Sequence, residues 1–170
     1  MAQRDARAAV VRRAPRPLPP APTDRTLLVA LPSDDAALHD AWGFLGRLDL
    51  PGPQLVLVQT ADELGYAPDR FAGSVRHVGP QDRDWRRLPA ATARRGIWAR
   101  QPDLALNLAP GDLGAALLVG ASPAALRVGF HEPSQEAFYD LMIRQPPGDS
   151  GVAAVERVLR RLDPPLVPFA

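Results

Sequence analysis

The chain has 170 residues, of which 46% are hydrophobic and 23% charged, a balance typical of a folded domain and not of a disordered chain. It contains no cysteine, which excludes disulfides, thiolate metal sites and a cysteine nucleophile. All 20 basic residues are arginines, so a Schiff-base lysine, a phosphate-loop lysine and a lysine general base are also excluded.

Charge is unevenly distributed along the chain. Residues 1–24, here called the basic arm, contain five arginines against Asp5 and Asp24, whereas residues 26–170 contain 14 arginines against 17 acidic residues. Five of the nine residues from Ala14 to Pro22 are proline, which favours an extended polyproline II backbone. The arm arginines that would contact a partner are Arg4, Arg7, Arg12, Arg13 and Arg16.

Three interpretations of the basic arm stay open at this point. It is a disordered leader, or it docks on RNA, on a ribosome or on an acidic partner, or "RPLPP" (Arg16 to Pro20) enters an aromatic-lined proline-binding groove. The arm has no apolar segment of signal-peptide length, and no window approaches 18 apolar residues. We therefore expect a cytoplasmic protein without a membrane span.

The folded part is predicted to begin near Thr26. Thr26 to Leu31 is an apolar run typical of a parallel strand covered on both faces. Residues 33–50 predict a helix with Ser33 as its N-cap and acidic residues at its positive end. Residues 54–60 predict a second buried strand, and residues 74–79 predict a third strand nearer an edge of the sheet.

The remaining sequence continues the alternation of helices and strands. In order, it predicts a helix at 90–101, a strand at 103–109, a small-residue helix at 111–122, strands at 126–130 and 139–144, and an amphipathic helix at 150–165. This alternation predicts an α/β fold with a doubly wound, mostly parallel, Rossmann-like sheet. The expected organisation is an arm at 1–24, one α/β domain at 25–165 and a tail at 166–170.

Three segments of the second half carry a resemblance to known proteins. "PDLALNLAP", "ALRVGF" and "YDLMI" occur in this order before the last helix. The order is similar to that of a small uncharacterised bacterial family of similar length, seen chiefly in Bacteroidota. The same segments distantly resemble the N-terminal half of the heptosyltransferases, which are GT-B glycosyltransferases. The resemblance covers about residues 25–165 and implies a Rossmann-like fold of the GT-B N-terminal type.

The chain departs from the heptosyltransferase pattern where the chemistry would lie. In that family a glycine-aspartate turn after the first strand supplies the catalytic base, whereas this chain reads "ALPSDD" without the glycine. The family's nucleotide-sugar site lies mostly in a second domain, and this sequence spans about one. One such domain alone does not enclose the donor and acceptor substrates in a cleft. We therefore predict no catalytic residues, and any enzyme activity would be glycosyltransferase-like.

The predicted strand ends supply the candidate ligand-binding residues. Parallel α/β sheets bind ligands beyond the carboxyl ends of their strands. Three predicted loops leave those ends, at 32–34, 60–62 and 110–112, and His131 follows the strand at 126–130. The candidates are Ser33, Asp34, Asp62, Asn107, Gly111, Asp112 and His131. Close packing of helix on sheet explains the glycines of "PGDLG" equally well.

Other polar groups give weaker signals. His39 is expected on the wet face of a helix and His77 at the surface, and no set of residues has metal-ligand spacing. "FHEPSQEAFYD" is interpreted as a solvated loop with a tyrosine anchor. "RDWRR" (Arg83 to Arg87) is an arginine-rich segment with an aromatic residue that could face phosphates. Asp82 and Asp84 offset its charge, so we interpret it as a solvated face.

The sequence thus predicts a non-catalytic binding or assembly module without a cofactor or metal. Its basic arm would contact a protein or ribonucleoprotein partner. The alternative is a nucleotide-binding or nucleotide-sugar-binding protein, or a degenerate glycosyltransferase subunit, that uses the loops at the strand ends. A deep pocket lined by Ser33, Asp62, Asn107 and Asp112 would favour the alternative.

Overall fold

A computed structural model describes residue 17 and residues 25–50, 54–72, 74–162 and 165–169. The predictions for the basic arm lie outside the described residues, apart from Pro17. The strands are β1 (Leu27–Leu31), β2 (Leu55–Gln59), β3 (Val75–His77), β4 (Leu104–Asn107), β5 (Leu126–Phe130) and β6 (Leu141–Ile143). The helices are α1 (Asp35–Gly46), α2 (Asp69–Ala72), α3 (Ala91–Trp98), α4 (Leu113–Gly120) and α5 (Gly151–Arg161), with short 3₁₀ helices at Pro80–Asp82 and Glu136–Phe138.

The six strands form one sheet in the order β3-β2-β1-β4-β5-β6, and every neighbouring pair is parallel. The predicted α/β class with a parallel sheet is therefore confirmed. The chain builds the sheet outwards from β1 to β3 and then returns to the centre to add β4. The strand order therefore reverses between β1 and β4, which is the switch point of a doubly wound fold.

Two apolar cores cover the two faces of the sheet. Alternate residues of β1 point to opposite faces, so Leu27 and Val29 enter one core and Leu28 and Ala30 enter the other. The first core includes the buried sides of α1 and α5, and the second includes those of α3 and α4. Both faces of the central strands are thus sealed, as their uninterrupted apolar sequences require.

The N-cap of α1 differs by one residue from the sequence prediction. Ser33 was expected to cap α1, but the cap is Asp34, whose carboxylate accepts a hydrogen bond from the Ala37 N–H at 3.0 Å. Ser33 is exposed one residue before it. An aspartate at this position satisfies a free N–H and also faces the positive end of the helix.

The amino edge of the sheet, where the parallel strands begin, is held by polar contacts. Arg25 is buried, and its guanidinium donates to the carbonyls of Pro165 and Leu166 at 3.1 and 2.8 Å. The Thr26 N–H donates to the carboxylate of Asp103 at 3.0 Å. The chain therefore enters the fold from a fixed point beside the central strand.

Within the described residues, no helix combines the length and the apolar character needed to cross a bilayer.

Candidate functional site

The candidate ligand-binding residues gather at the carboxyl edge of the sheet, where the parallel strands end. Ser33 and Asp34 follow β1, and Asn107 ends β4, its neighbour across the switch point. Because α1 covers one face and α4 the other, the loops after β1 and β4 diverge above the sheet. This divergence forms the crevice in which such folds bind ligands.

Asp112 ties two of the loops around this crevice together. It is the N-cap of α4, where one carboxylate oxygen accepts from the Ala115 N–H at 3.0 Å. Its other oxygen accepts a short hydrogen bond from the hydroxyl of Thr60, which follows β2. Since β1 lies between β2 and β4, this bond passes over the end of the central strand. Asp112 therefore acts as a brace between loops.

Asn107 is the most buried of the candidate residues, with 1% of its surface exposed. Its side-chain oxygen accepts from the Ala109 N–H at 2.8 Å, and its Nδ2 donates to the Tyr139 hydroxyl at 2.7 Å. That hydroxyl donates to Gln135 Oε1 at 3.1 Å. Gln135 Nε2 in turn donates to Glu132 at 2.7 Å. A chain of hydrogen bonds thus runs from the end of β4 to a carboxylate in the loop after β5.

Tyr139 is the centre of this chain and cannot act as a base. Burial raises the pKa of its phenol well above the ordinary value, although the hydrogen bond from Asn107 opposes the shift. The phenol therefore stays protonated throughout the physiological range, donating one hydrogen bond and accepting another. The sequence predicted a tyrosine anchor here, but it gave no sign that Asn107 and Gln135 are its partners.

The remaining candidate residues lie at the same edge with fewer contacts. Gly111 has a φ of 78°, a conformation that glycine adopts without strain, in the turn that leads to α4. His131 is exposed, and its backbone N–H donates to the Ile143 carbonyl at 2.9 Å. Asp62 forms an ion pair with Arg83 at 2.8 Å. Asp62 and Arg83 also line a cleft of about 290 Å³.

The described residues contain a second cleft, of about 270 Å³, between α1 and α5. Arg47 and Glu156 cross it as an ion pair with a separation of 2.5 Å, and Arg160 adds a second contact to Glu156. Hydrogen bonding to Arg47 lowers the pKa of Glu156 below its ordinary value. His39 lines this cleft on the exposed face of α1, as predicted. The two helices are thus linked by charge outside their apolar contact.

The segments that carry the family resemblance make structural contacts. In "RVGF", Arg127 binds both carboxylate oxygens of Asp140 at 2.7 and 2.8 Å and also donates to the Gly120 carbonyl. Burial alone would raise the pKa of Asp140, but the hydrogen bonds from Arg127 hold it below its usual value. A Cβ on Gly129 would lie 2.3 Å from the ring of Tyr139. These residues therefore lock β5 to the segment before β6.

No group of three histidine, cysteine, aspartate or glutamate residues in the described ranges could hold a metal ion. Comparison with known proteins finds no family model that matches the chain and no curated protein that matches it. The resemblance to the Bacteroidota family and to the heptosyltransferases therefore stays a prediction.

Proposed function

We propose that this chain is a non-catalytic binding module in which a Rossmann-like domain presents the basic arm to a protein or ribonucleoprotein partner. The observation that carries the proposal is that the carboxyl-edge side chains already form hydrogen bonds within the protein. Asp34, Asn107 and Asp112 all accept hydrogen bonds from backbone N–H groups, and Asn107 and Asp112 also bond to other side chains. A ligand that bound through these side chains would have to compete with these contacts.

The charge at the crevice also disfavours a nucleotide. Phosphates bind at helix N-termini because the free N–H groups and the helix dipole attract anions. Here the two helices that follow β1 and β4 begin at Asp34 and Asp112, so each N-terminus already carries a carboxylate. A phosphate at either place would meet like charge, in a partly buried site at Asp112 and an exposed one at Asp34.

The alternative, a nucleotide-binding or nucleotide-sugar-binding protein or a degenerate glycosyltransferase subunit, is favoured by one observation. The strand order places a switch point between β1 and β4, where related folds bind nucleotides. The aspartate caps and the hydrogen bond from Thr60 to Asp112 count against it. The binding module is therefore the better supported function.

The position of Arg25 and Thr26 and the uneven charge of the sequence support a role for the basic arm. Arg25 and Thr26 are fixed at the amino edge of the sheet, so the arm begins on the side away from the crevice. Residues 26–170 carry three more acidic residues than arginines, whereas the arm carries five arginines and two acidic residues. The sequence of the arm thus carries a net positive charge that the rest of the chain lacks. With no cysteine in the chain, we propose that the protein acts in a reducing cytoplasm.

The test is affinity purification of the full chain from its own cells at about 50 mM and about 500 mM salt, because contacts to a polyanion weaken steeply over such a range. A deletion of residues 1–22 and a full-length variant with alanine at Arg4, Arg7, Arg12, Arg13 and Arg16 are purified in parallel. We expect a partner that is retained at low salt, released at high salt and lost from both variants.

A matched control replaces two exposed arginines of the domain, Arg144 and Arg161, with alanine. This variant should keep the partner. Retention of the partner by both arm variants would refute a role for the arm. A melting temperature of the deletion variant more than about 2 °C below that of the full chain would show that the arm belongs to the folded core.

A further inference from the structure

The loop between β3 and α3 presents a tryptophan to solvent. Trp85 is 78% exposed, whereas Trp42 is buried and Trp98 is half-buried with its indole N–H donating to the Leu118 carbonyl. The guanidinium of Arg86 lies 4.4 Å from the centre of the Trp85 ring. With one face covered by this cation and most of the side chain exposed, the opposite face of the indole is open to solvent.

The loop is held in one shape by the carboxylate of Asp84. The Asp84 Oδ1 accepts from the N–H groups of Arg86 and Leu88 at 2.9 and 3.1 Å, and the Asp84 N–H donates to the Leu88 carbonyl at 2.8 Å. Arg87 takes the left-handed conformation, with a φ of 62°. The carboxylate of Asp84 thus binds the backbone of the loop in addition to offsetting the charge of the segment.

The segment that starts at Trp85 is the most basic part of the domain. Residues 85–102 contain five arginines and no acidic residue, whereas the rest of residues 26–170 contains nine arginines against 17 acidic residues. Arg95 is exposed on α3. A Cβ on Gly96, the next residue of α3, would lie 3.6 Å from the guanidinium of Arg76 on β3, so β3 adds a sixth positive group beside this helix.

We propose that the Trp85 loop and α3 form a binding surface for single-stranded nucleic acid. A base would stack on the open face of Trp85, and the phosphates that follow would lie along the arginines of the loop and of α3. Stacking on aromatic side chains combined with a positive track is how single strands are bound without sequence preference. The surface belongs to the folded domain and does not depend on the role proposed for the basic arm.

Two features of the surface decide where the strand lies and what binds it. The neighbouring cleft contains Asp62 and Asp84 beside Arg83 and Arg87, so its carboxylates would repel a phosphate. The strand therefore follows α3 and not the cleft. Tryptophan and arginine also occur at protein interfaces, but five arginines without an acidic residue in residues 85–102 match the uniform negative charge of a nucleic-acid backbone.

The experiment measures binding of fluorescein-labelled twelve-nucleotide oligouridylate and oligothymidylate to the full chain by fluorescence anisotropy. Loss of one stacked base predicts binding weaker by about 5- to 150-fold for Trp85→Ala, while Trp85→Phe keeps most of the affinity. The paired change Arg76→Ala and Arg95→Ala, at two exposed arginines beside and on α3, should lower the slope of log affinity against log salt by about 1.4. The charge-matched control, Arg144→Ala with Arg161→Ala, should leave that slope unchanged.

Each outcome decides the proposal, because Trp85 is exposed and its replacement leaves the fold intact, as a melting curve checks. Quenching of tryptophan fluorescence by the unlabelled oligonucleotide should disappear in Trp85→Phe. No binding by the wild type, or equal binding by wild type and Trp85→Ala, would overturn the proposal. If Trp85→Ala removes a protein partner while oligonucleotide binding is unchanged, the surface is a protein interface and the proposal is wrong.

Discussion

Removal of the Tyr139 hydroxyl tests whether the polar groups at the carboxyl edge are structural. In Tyr139→Phe, Asn107 Nδ2 loses its acceptor at 2.7 Å and Gln135 Oε1 loses its donor at 3.1 Å. Asn107 and Gln135 are 1% and 4% exposed, so water does not readily replace the hydroxyl. A buried polar group left without a partner costs about 1–3 kcal/mol.

The hydrogen bonds that remain use other atoms, Asn107 Oδ1 and Gln135 Nε2, so two buried groups lose their partner and we expect a loss of about 2–6 kcal/mol in the free energy of unfolding. For a chain of this size the loss lowers the melting temperature by about 4–24 °C. Urea denaturation followed by circular dichroism measures the free energy, and a thermal melt checks it. The matched control is Tyr66→Phe, because Tyr66 is 77% exposed and its hydroxyl lies in solvent.

A double-mutant cycle with Asn107→Ala makes the test sharper. Because the two side chains share one hydrogen bond, the combined loss should fall short of the sum of the single losses by about 0.5–3 kcal/mol. The network would be refuted if Tyr139→Phe unfolded at the same urea concentration as Tyr66→Phe. It would also be refuted if the losses of unfolding free energy in the two single variants added up to the loss in the double variant.

Three further changes test other contacts. Hydrogen bonds from Arg127 hold the pKa of Asp140 below its usual value, so their contribution to stability is present above about pH 4, the pKa of an unfolded aspartate, and is lost as the pH falls through the folded value. Asp140→Asn should therefore be less stable than wild type at pH 7. Denaturant titrations should also show that it loses less stability than wild type between about pH 5 and pH 3. Parallel curves of stability against pH for the two proteins would contradict this. Gly129→Ala places a methyl group 2.3 Å from the Tyr139 ring and should lower the free energy of unfolding by at least about 1–3 kcal/mol. In the control Gly96→Ala the nearest atom is 3.6 Å away, so stability should be unchanged or increased. Equal unfolding midpoints of the two variants would show that the Tyr139 ring moves aside without loss of stability. Asp112→Asn removes the negative charge at the start of α4 and should lower the free energy of unfolding by about 0.3–1 kcal/mol at low salt. The same denaturation assay should give a smaller loss at high salt. A loss that does not depend on salt would refute the electrostatic part of the cap.

The fold was predictable because its signals are local. The segment that became β1 is apolar throughout and that of β4 is apolar up to Asn107, as strands covered on both faces must be, and proline or glycine separates them from the helices. The cap of α1 was predicted one residue too early, at Ser33 instead of Asp34, because both side chains accept hydrogen bonds and only the backbone geometry chooses between them.

The contacts of the candidate residues were not predictable in the same way. Asn107 and Tyr139 are 32 residues apart in the chain and meet through the sheet, in which β5 lies between β4 and β6 and the Tyr139 ring packs on Gly129 of β5. A count of charges gives Asp84 and Arg87 equal weight, whereas in the structure the carboxylate of Asp84 is bound to the loop backbone and Arg87 is exposed. Long-range pairing and side-chain direction decide both cases.

The most direct test of the central claim is the melting temperature of the full chain with a nucleoside diphosphate or a nucleotide-sugar. A ligand present at about 100 times its dissociation constant adds about 2.7 kcal/mol, which raises the melting temperature of a chain of this size by about 5–11 °C. Because the carboxyl-edge side chains already bind one another, we predict no measurable shift at millimolar concentrations of either ligand. A shift of several degrees that Asn107→Ala abolishes would contradict the account and establish the crevice as a nucleotide site.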